Sequence, residues 1–309
     1  MYLTLRRIPY AQCDQPPMLP RPDLESIGVA YRRIPILAHG RSVYCDTQLI
    51  IAHLESAFPS SDFFPTSPEH KALQKLLGSW TIDGGIFARA AQALPPDLPL
   101  MKDPKFVKDR EQYTGRSWSE GNVRALRPEA LVHLREAFEF LETGLLSDGR
   151  DWILNTEGPQ LADIEAIWPF AWLLGLKVAL PKDLFSPTTF PKVFDWVERF
   201  NKAVEKAKRE THVKKLTGEE AANVIMNAKP VSNEAEEVDS TDPTGLKEGD
   251  LVESWPSDTG FKNRDRGHLV RLNRKECVLE NHKGVLIHHP RWNFRLRGVT
   301  AKTKEIPKI

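Results

Sequence analysis

An aspartate and a threonine, Asp46 and Thr47, stand directly before a stretch with helical periodicity. Their side-chain oxygens suit the first position of a helix, where they accept hydrogen bonds from free backbone N–H groups. The same helix start carries the positive end of the helix dipole, which favours a carboxylate or another anion. The pair therefore predicts a plain helix cap or, in the more specific interpretation, a binding site for a ligand with a free carboxylate.

Upstream of this pair, Pro35 interrupts a β-type run over residues 34–38. A proline has no N–H to donate, so within a strand it needs an edge, a strand start or an unusual peptide bond. A cis bond between Ile34 and Pro35 would turn the backbone of Ile34 outward and leave its N–H and C=O free to pair with a peptide-like ligand. A proline that merely shapes a turn is the simpler alternative. Glutathione, an extended peptide with a free carboxylate, would fit both features.

The elements that must position these residues are a hairpin and a helix. Two short β-type runs, residues 34–38 and 42–44, flank a turn at residues 39–40. The periodicity then changes, because the next apolar residues fall at the i, i+4, i+7 and i+8 spacing of an amphipathic helix. Pro59 ends that helix. The segment therefore predicts a hairpin followed by a capped helix.

The order of proline-containing strand, second strand, acidic-threonine pair and helix resembles the second half of the thioredoxin-like domain of glutathione transferases. The resemblance implies that glutathione is a co-substrate. It also implies that the backbone of Ile34, held by Pro35, pairs with the cysteinyl part of glutathione. Asp46 would meet the γ-glutamyl amine, and Thr47 would bind the γ-glutamyl carboxylate through its hydroxyl and N–H.

The same alignment leaves the catalytic residue unknown. Residues 1–7 correspond to the end of the family's first helix, so its first strand and its catalytic Ser, Tyr or Cys would lie before Met1. Tyr10 and Cys13 offer a hydroxyl and a thiol near the predicted site. A free cysteine in a strand is, however, usually a small buried hydrophobe.

Residues 64–228 have the pattern of five or six helices, as in the all-helical domain of the same family. Asp163 lies near the start of an apolar helical segment, where the resemblance makes it a structural capping residue. Four residues of the first long helical stretch would line the pocket of an apolar electrophilic second substrate, or would pack in the core: Trp80, Ile82, Phe87 and Arg89.

The C-terminal part has a different character. Residues 229–244 hold five acidic residues against one basic residue and little apolar content, which predicts a disordered linker. Beyond it, five short alternating runs separated by turns predict a small β-barrel of SH3-like or Tudor-like size. From residue 246 onward, 14 Lys and Arg face 8 Asp and Glu, so this barrel could bind RNA or an acidic segment, its own linker included, or could merely be a solvated basic surface. Its histidines show no metal-ligand spacing with cysteine, so no metal is predicted.

Composition limits the class of protein. The net charge of +1 predicts no bulk attraction to nucleic acid or a membrane. The three scattered cysteines fit a reducing compartment and not a disulfide framework. The longest apolar run, residues 166–176, is about half a membrane span. We therefore expect a cytoplasmic protein that does not bind a membrane.

The predicted fold class is α/β plus all-α, with a thioredoxin-like N-terminal domain lacking its first strand and most of its first helix. The predicted domains are this domain at residues 1–63, an all-helical transferase-type domain at 64–228, the acidic linker at 229–244 and the small basic barrel at 245–309. This plan resembles a group of fungal proteins. The resemblance implies conjugation of glutathione to electrophilic small molecules by a homodimer. The alternative is a non-catalytic scaffold whose barrel binds protein or nucleic acid, nucleic acid being the less expected partner.

Overall fold

The computed structural model describes residues 1–59, 63, 67–229, 231 and 237–299. Its helices are Tyr2–Leu5 (α1), Pro22–Ser26 (α2), Thr47–Ala57 (α3), Pro68–Ile82 (α4), Ile86–Gln92 (α5), Pro104–Thr114 (α6), Glu120–Phe140 (α7), Leu161–Gly175 (α8), Pro191–Glu210 (α9) and Gly218–Asn227 (α10). Its strands are Ala11–Gln12 (β1), Ile36–His39 (β2), Ser42–Cys45 (β3), Lys214–Lys215 (β4), Leu251–Pro256 (β5), Asp265–Leu272 (β6), Glu276–Glu280 (β7), Leu286–Pro290 (β8) and Phe294–Gly298 (β9).

The chain forms two compact units that interleave along the sequence. The helical unit contains residues 1–10, 59–107 and 117–214. The sheet unit contains residues 11–58, 108–116 and those from 215 onward. Because segments far apart in sequence share one unit, the chain order alone does not separate them. The boundaries at residues 63, 228 and 244 follow the family pattern and stay a prediction.

The helical unit is built around α8, which packs against α4, α5 and α9. The side chains at its centre are large and fully buried: Leu134, Phe138, Ile167, Phe170, Trp196 and Phe200. Burial of this many large apolar side chains is the main source of stability for such a bundle. Among the described residues, no helix combines the length and the apolar character needed to cross a membrane.

Asp163 has the structural role predicted for it. Its carboxylate is fully buried and accepts hydrogen bonds from the backbone N–H groups of Gln160 and Ile153, each at 3.0 Å. The indole N–H of Trp196 also donates to it at 3.0 Å. Asp163 therefore ties the start of α8 to α9, and the prediction of a capping residue is confirmed.

The sheet unit contains a seven-stranded sheet in the order β2-β3-β8-β7-β6-β5-β9. The strands pair antiparallel except for β3 and β8, which run parallel. Helix α3 follows β3 directly and contacts β2, β3 and β8. The predicted hairpin and the five C-terminal strands are thus present, within one sheet.

The prediction of a small β-barrel is wrong, because the C-terminal strands belong to an open sheet that continues the N-terminal hairpin. Strand β8 pairs with β3 over Ser42–Leu286, Val43–Ile287 and Tyr44–His288. Alternating hydrophobicity indicates which face of a strand is buried, but not which strand lies beside it. An unpaired strand edge exposes N–H and C=O groups that can pair with another strand. Here β3 and β8 form these backbone hydrogen bonds with each other.

The predicted disordered linker is ordered over its second half. Val238 bridges to Leu272, and the N–H of Asp239 donates to the carbonyl of Leu272 at 2.8 Å. Asp242 forms an ion pair with Arg291 at 2.9 Å. This acidic segment therefore contacts the basic C-terminal region, and docking on its own linker was one of the three roles considered for that region. Residues 230 and 232–236 lie outside the described residues.

Candidate functional site

The start of α3 has an unusual backbone. Asp46 is the N-cap residue and has φ 73° and ψ 135°, and its side chain accepts a hydrogen bond from the N–H of Gln48 at 3.1 Å. A non-glycine residue with positive φ outside the left-handed helical well is strained by about 1–3 kcal/mol. Such strain is common at ligand sites. Thr47, the first helical residue, is exposed.

Packing of α3 against the sheet fixes the position of this helix start. The face of α3 formed by Ile50, Ile51 and Leu54 is buried, and the helix packs on strands of the sheet. Its eleven residues give about three turns, enough for aligned peptide dipoles to place partial positive charge at Thr47. The result is a fixed helix N-terminus with an exposed hydroxyl and an acidic neighbour.

Ile34 and Pro35 lie at the same end of the hairpin as this helix start. Residue Ile36 pairs with Cys45, so the chain just before β2 lies beside the chain just after β3. The Ile34–Pro35 peptide bond is cis, as expected from the proline in this run. Ile34 is 45% exposed, and across the described residues no hydrogen bond is found for its N–H or carbonyl. The register thus places Ile34 and Pro35 at the end of the hairpin from which Asp46 and Thr47 lead into α3.

Neither Tyr10 nor Cys13 has the environment of an activated nucleophile. Burial and the nearby Asp23 raise the pKa of the Cys13 thiol, while a hydrogen bond from Gln15 opposes them. A raised pKa disfavours the thiolate, which is the reactive form. The Tyr10 hydroxyl lies 3.5 Å from the hydroxyl of Thr4, which is an ordinary structural contact.

The residues predicted as a wall for a second substrate make packing contacts in the helical unit. Trp80 lies against Phe140 and Phe170 with ring centroids 5.3 and 5.9 Å apart. Arg89 forms an ion pair with Glu129 at 2.8 Å. Phe87 packs on Trp168 yet remains 40% exposed. Ile82 is 38% exposed, so Ile82 and Phe87 are the two members of this set that are open to solvent.

Two surface cavities in the described part of the chain are lined by residues outside the hairpin and α3. One, of about 770 Å³, runs along α9 past Phe194 and Arg209. The other, of about 330 Å³, is lined by Trp255, Arg291 and Arg295 among others. Neither of these two cavities is lined by Asp46 or Thr47.

A second group of chemically active side chains was not indicated by the sequence. Cys45, Asp265 and His289 come together inside the sheet unit, with donor atoms that all lie within 4.8 Å of one another. Burial raises the pKa of Cys45 to about 11, and His289 acts against this. For His289, burial favours the neutral ring, but Cys45 and Asp265 outweigh it and raise its pKa well above the usual value.

Comparison with known proteins shows what the chain is similar to. Residues 1–62 match the family model for the glutathione S-transferase N-terminal domain. Residues 89–209 match a family model described as a domain of unknown function, DUF7962. Glutathione S-transferase U3 of Arabidopsis thaliana is 26% identical over 76 residues, covering 24% of this chain. The match spans only 34% of that relative, about a third of its length.

Solved structures extend the likeness to most of the chain. A GST-like protein from Pseudomonas syringae has a TM-score of 0.65 and 23% identity, covering 96% of this chain and 92% of its own. The beta-etherase LigF from Sphingobium sp. strain SYK-6 has a TM-score of 0.42 and 20% identity, over 58% of this chain and 79% of its own.

Together with the hairpin and capped helix, the matches define a class: proteins with a thioredoxin-fold N-terminal region followed by a helical region, as in glutathione S-transferases. The chain has a glutathione S-transferase-like fold, its residues 1–62 match the N-terminal domain of that family, and it carries an additional C-terminal sheet region.

Proposed function

We propose that this protein binds glutathione through Ile34, Pro35, Asp46 and Thr47 and conjugates it to electrophilic small molecules. The observation that carries the proposal is the start of α3, where a strained acidic N-cap precedes an exposed threonine at the positive end of a helix. The N-terminal family match and the relative in Arabidopsis thaliana support glutathione as the ligand.

The charges at this helix start suit the γ-glutamyl end of glutathione, which carries both an amine and a carboxylate. An anion alone would be attracted by the helix dipole but repelled by the Asp46 carboxylate. A zwitterion satisfies both, with its ammonium group on Asp46 and its carboxylate on the hydroxyl and N–H of Thr47. The free backbone groups of the exposed Ile34 then pair with the cysteinyl residue of the ligand.

The reaction is attack of the glutathione thiolate on an electrophilic carbon. The thiolate is the nucleophilic form of a thiol, so the rate depends on how far the protein lowers the pKa of the bound thiol. The second substrate is an apolar electrophile, in keeping with family members. We extend the proposal to a cytoplasmic homodimer, and the three free cysteines suit a reducing compartment.

A pair of substitutions at Thr47 tests the binding site. Thr47→Ala removes the hydroxyl, whereas Thr47→Ser keeps it. We expect Thr47→Ala to weaken glutathione binding by about ten- to a hundredfold, because a hydrogen bond to a charged group contributes about 1.5–3 kcal/mol. Thr47→Ser should bind within about twofold of the parent protein. Isothermal titration calorimetry with glutathione measures both, and retention on a glutathione resin gives an independent comparison.

Conjugation is measured separately with a chloronitrobenzene substrate, whose product absorbs light. Turnover that falls in parallel with glutathione affinity in Thr47→Ala supports the enzyme. Binding without turnover would reject the conjugation step and favour the scaffold alternative. Failure of the parent protein to bind glutathione would reject the proposal as a whole.

A further inference from the structure

Three potential metal ligands meet in the interior of the sheet unit. Cys45 ends β3, Asp265 begins β6 and His289 lies in β8. Cys45 and His289 are fully buried, and Asp265 is 1% exposed. One donor atom from each lies within 4.8 Å of the other two. A sulfur, a carboxylate oxygen and an imidazole nitrogen this close together can reach one ion with only small side-chain movements.

Hydrogen bonds orient two of these potential ligands, Asp265 and His289. One carboxylate oxygen of Asp265 accepts hydrogen bonds from the N–H groups of Ala30 and Tyr31, at 2.5 and 3.2 Å. The other lies 2.8 Å from Nε2 of His289. Backbone hydrogen bonds that fix a carboxylate are the kind of outer-shell support that metal ligands receive in proteins. Asp265 is therefore held with one oxygen turned towards the imidazole.

We propose that Cys45, Asp265 and His289 bind one divalent transition-metal ion, Zn²⁺ being the best match. Zinc accepts thiolate, imidazole and carboxylate ligands together, and three protein ligands are typical of zinc sites that keep one position open. A thiolate and a carboxylate also neutralise the two positive charges of the ion. An electrically neutral site is what a fully buried position requires, because an uncompensated charge there is costly.

A buried ion pair between Asp265 and His289 is the competing explanation. It accounts for the 2.8 Å contact, with the thiols of Cys45 and Cys277 beside the same imidazole. It does not by itself explain why Cys45, Asp265 and His289 each place a potential ligand atom within 4.8 Å of the other two. The metal site uses the thiol, and it joins three strands whose residues are up to 244 positions apart in the sequence.

Metal analysis of the intact purified chain tests the proposal. We expect about one zinc per chain by plasma mass spectrometry. After zinc removal, added Co²⁺ should produce the visible bands of a tetrahedral ion and a near-ultraviolet thiolate-to-cobalt band. Cys45→Ser should reduce zinc affinity at least about tenfold, the lower end of effects seen at metal sites, and should abolish the thiolate band.

Cys13→Ser is the control, because Cys13 is a free cysteine that belongs to no donor group of the described residues. It should keep both the zinc and the thiolate band. A wild-type protein that takes up neither zinc nor Co²⁺ overturns the proposal. So does a thiolate band that survives Cys45→Ser. None of these readouts depends on glutathione, so the proposal stands or fails separately from the proposed function.

Discussion

Asp46 combines two effects that substitution can separate. Its side chain caps α3 through Gln48, and its backbone has φ 73°. Asp46→Ala loses the cap and keeps the strain, so we expect a loss of about 1 kcal/mol in the free energy of unfolding. Asp46→Gly loses the cap as well, but glycine adopts positive φ without strain and is itself a tolerated N-cap. We expect Asp46→Gly to remain within about 0.5 kcal/mol of the parent protein. Urea unfolding measures both.

The same two variants separate stability from ligand binding. Both lack the carboxylate that we assign to the glutathione amine, so both should bind glutathione more weakly, and to a similar extent. If Asp46→Gly binds as tightly as the parent protein, Asp46 is a helix cap only. If the two variants lose equal stability, the positive φ is not strained in the folded protein.

At the scale of residues, the sequence indicates sites whose residues are adjacent in the chain. It does not indicate sites whose residues are far apart in the chain. Asp46 and Thr47 can be predicted because a capping pair and the helix it begins are adjacent in the chain. The group of Cys45, Asp265 and His289 has no such local signal, since metal-ligand spacing is recognisable only when ligands lie a few residues apart. These three become neighbours only through the register of β3, β6 and β8.

Between helices, the contact of α4 with α8 contains a carboxyl group with an unusual pKa. Burial raises the pKa of Glu165 to about 7, and a hydrogen bond from Gln74 at 3.1 Å opposes it only in part. Because the folded-state pKa lies above the unfolded one, the stabilising contribution is fully present below about pH 4.5 and is lost as pH rises through 7. We expect Glu165→Gln to be less than about 1 kcal/mol more stable than the parent protein at pH 5 and about 3 kcal/mol more stable at pH 8.

The control for this prediction is Glu198→Gln on α9. Glu198 is on the surface, and a hydrogen bond and ion pair with Lys202 lower its pKa. Solvent screens an exposed pair, and the lowered pKa lies below this pH range, so this variant should show little pH dependence between 5 and 8. Urea unfolding at pH 5 and pH 8 measures the free energy of unfolding of both variants and of the parent protein. An equal effect of Glu165→Gln at pH 5 and pH 8 would show that Glu165 does not titrate in this range.

In the sheet, Ile287 of β8 tests whether the joint with β3 contributes to stability. Its side chain is fully buried, and its register partners are Val43 in β3 and Leu279 in β7. Ile287→Ala should lower the free energy of unfolding by about 2–5 kcal/mol, the usual effect of such a cavity. Arg266→Ala, at an exposed position of β6, should change it by less than about 0.5 kcal/mol. A loss below about 1 kcal/mol for Ile287→Ala would mean that this part of the sheet is loosely packed.

The strands themselves were predictable, but their neighbours were not. Each of the five C-terminal strands overlaps a run of alternating residues, and the hairpin lies where Gly40 and its flanking runs place it. Strand pairing depends on which edges meet in three dimensions, and a parallel pair such as β3 with β8 joins segments with more than 200 residues between them. A closed barrel and an open sheet have the same pattern of alternating strands in the sequence. The sequence therefore could not tell them apart, and the barrel prediction was wrong.

At the scale of the molecule, the N-terminal hairpin and the C-terminal strands share one hydrophobic core. Leu24, Ile27, Val29, Tyr31 and Val43 belong to the same buried cluster as a second set from the far end of the chain: Val252, Leu269, Leu272, Leu279, Val285 and Ile287. Each large apolar side chain that is fully buried contributes about 1.5–3 kcal/mol to the free energy of unfolding. The candidate glutathione site is built on strands that depend on this shared core.

This sharing predicts how the chain responds to a break in its backbone. A protease site inserted between residues 232 and 236 allows the folded protein to be cut into two fragments. We expect the fragments to stay together in size-exclusion chromatography and to keep the glutathione affinity of the uncut chain, because the β3–β8 ladder and the common core hold them. The N-terminal fragment expressed alone should lose that affinity, since β3 then has an unpaired edge and its core residues are exposed to water. If the isolated fragment folded and bound glutathione as the whole chain does, the C-terminal strands would be a separate domain, as the sequence pattern suggested.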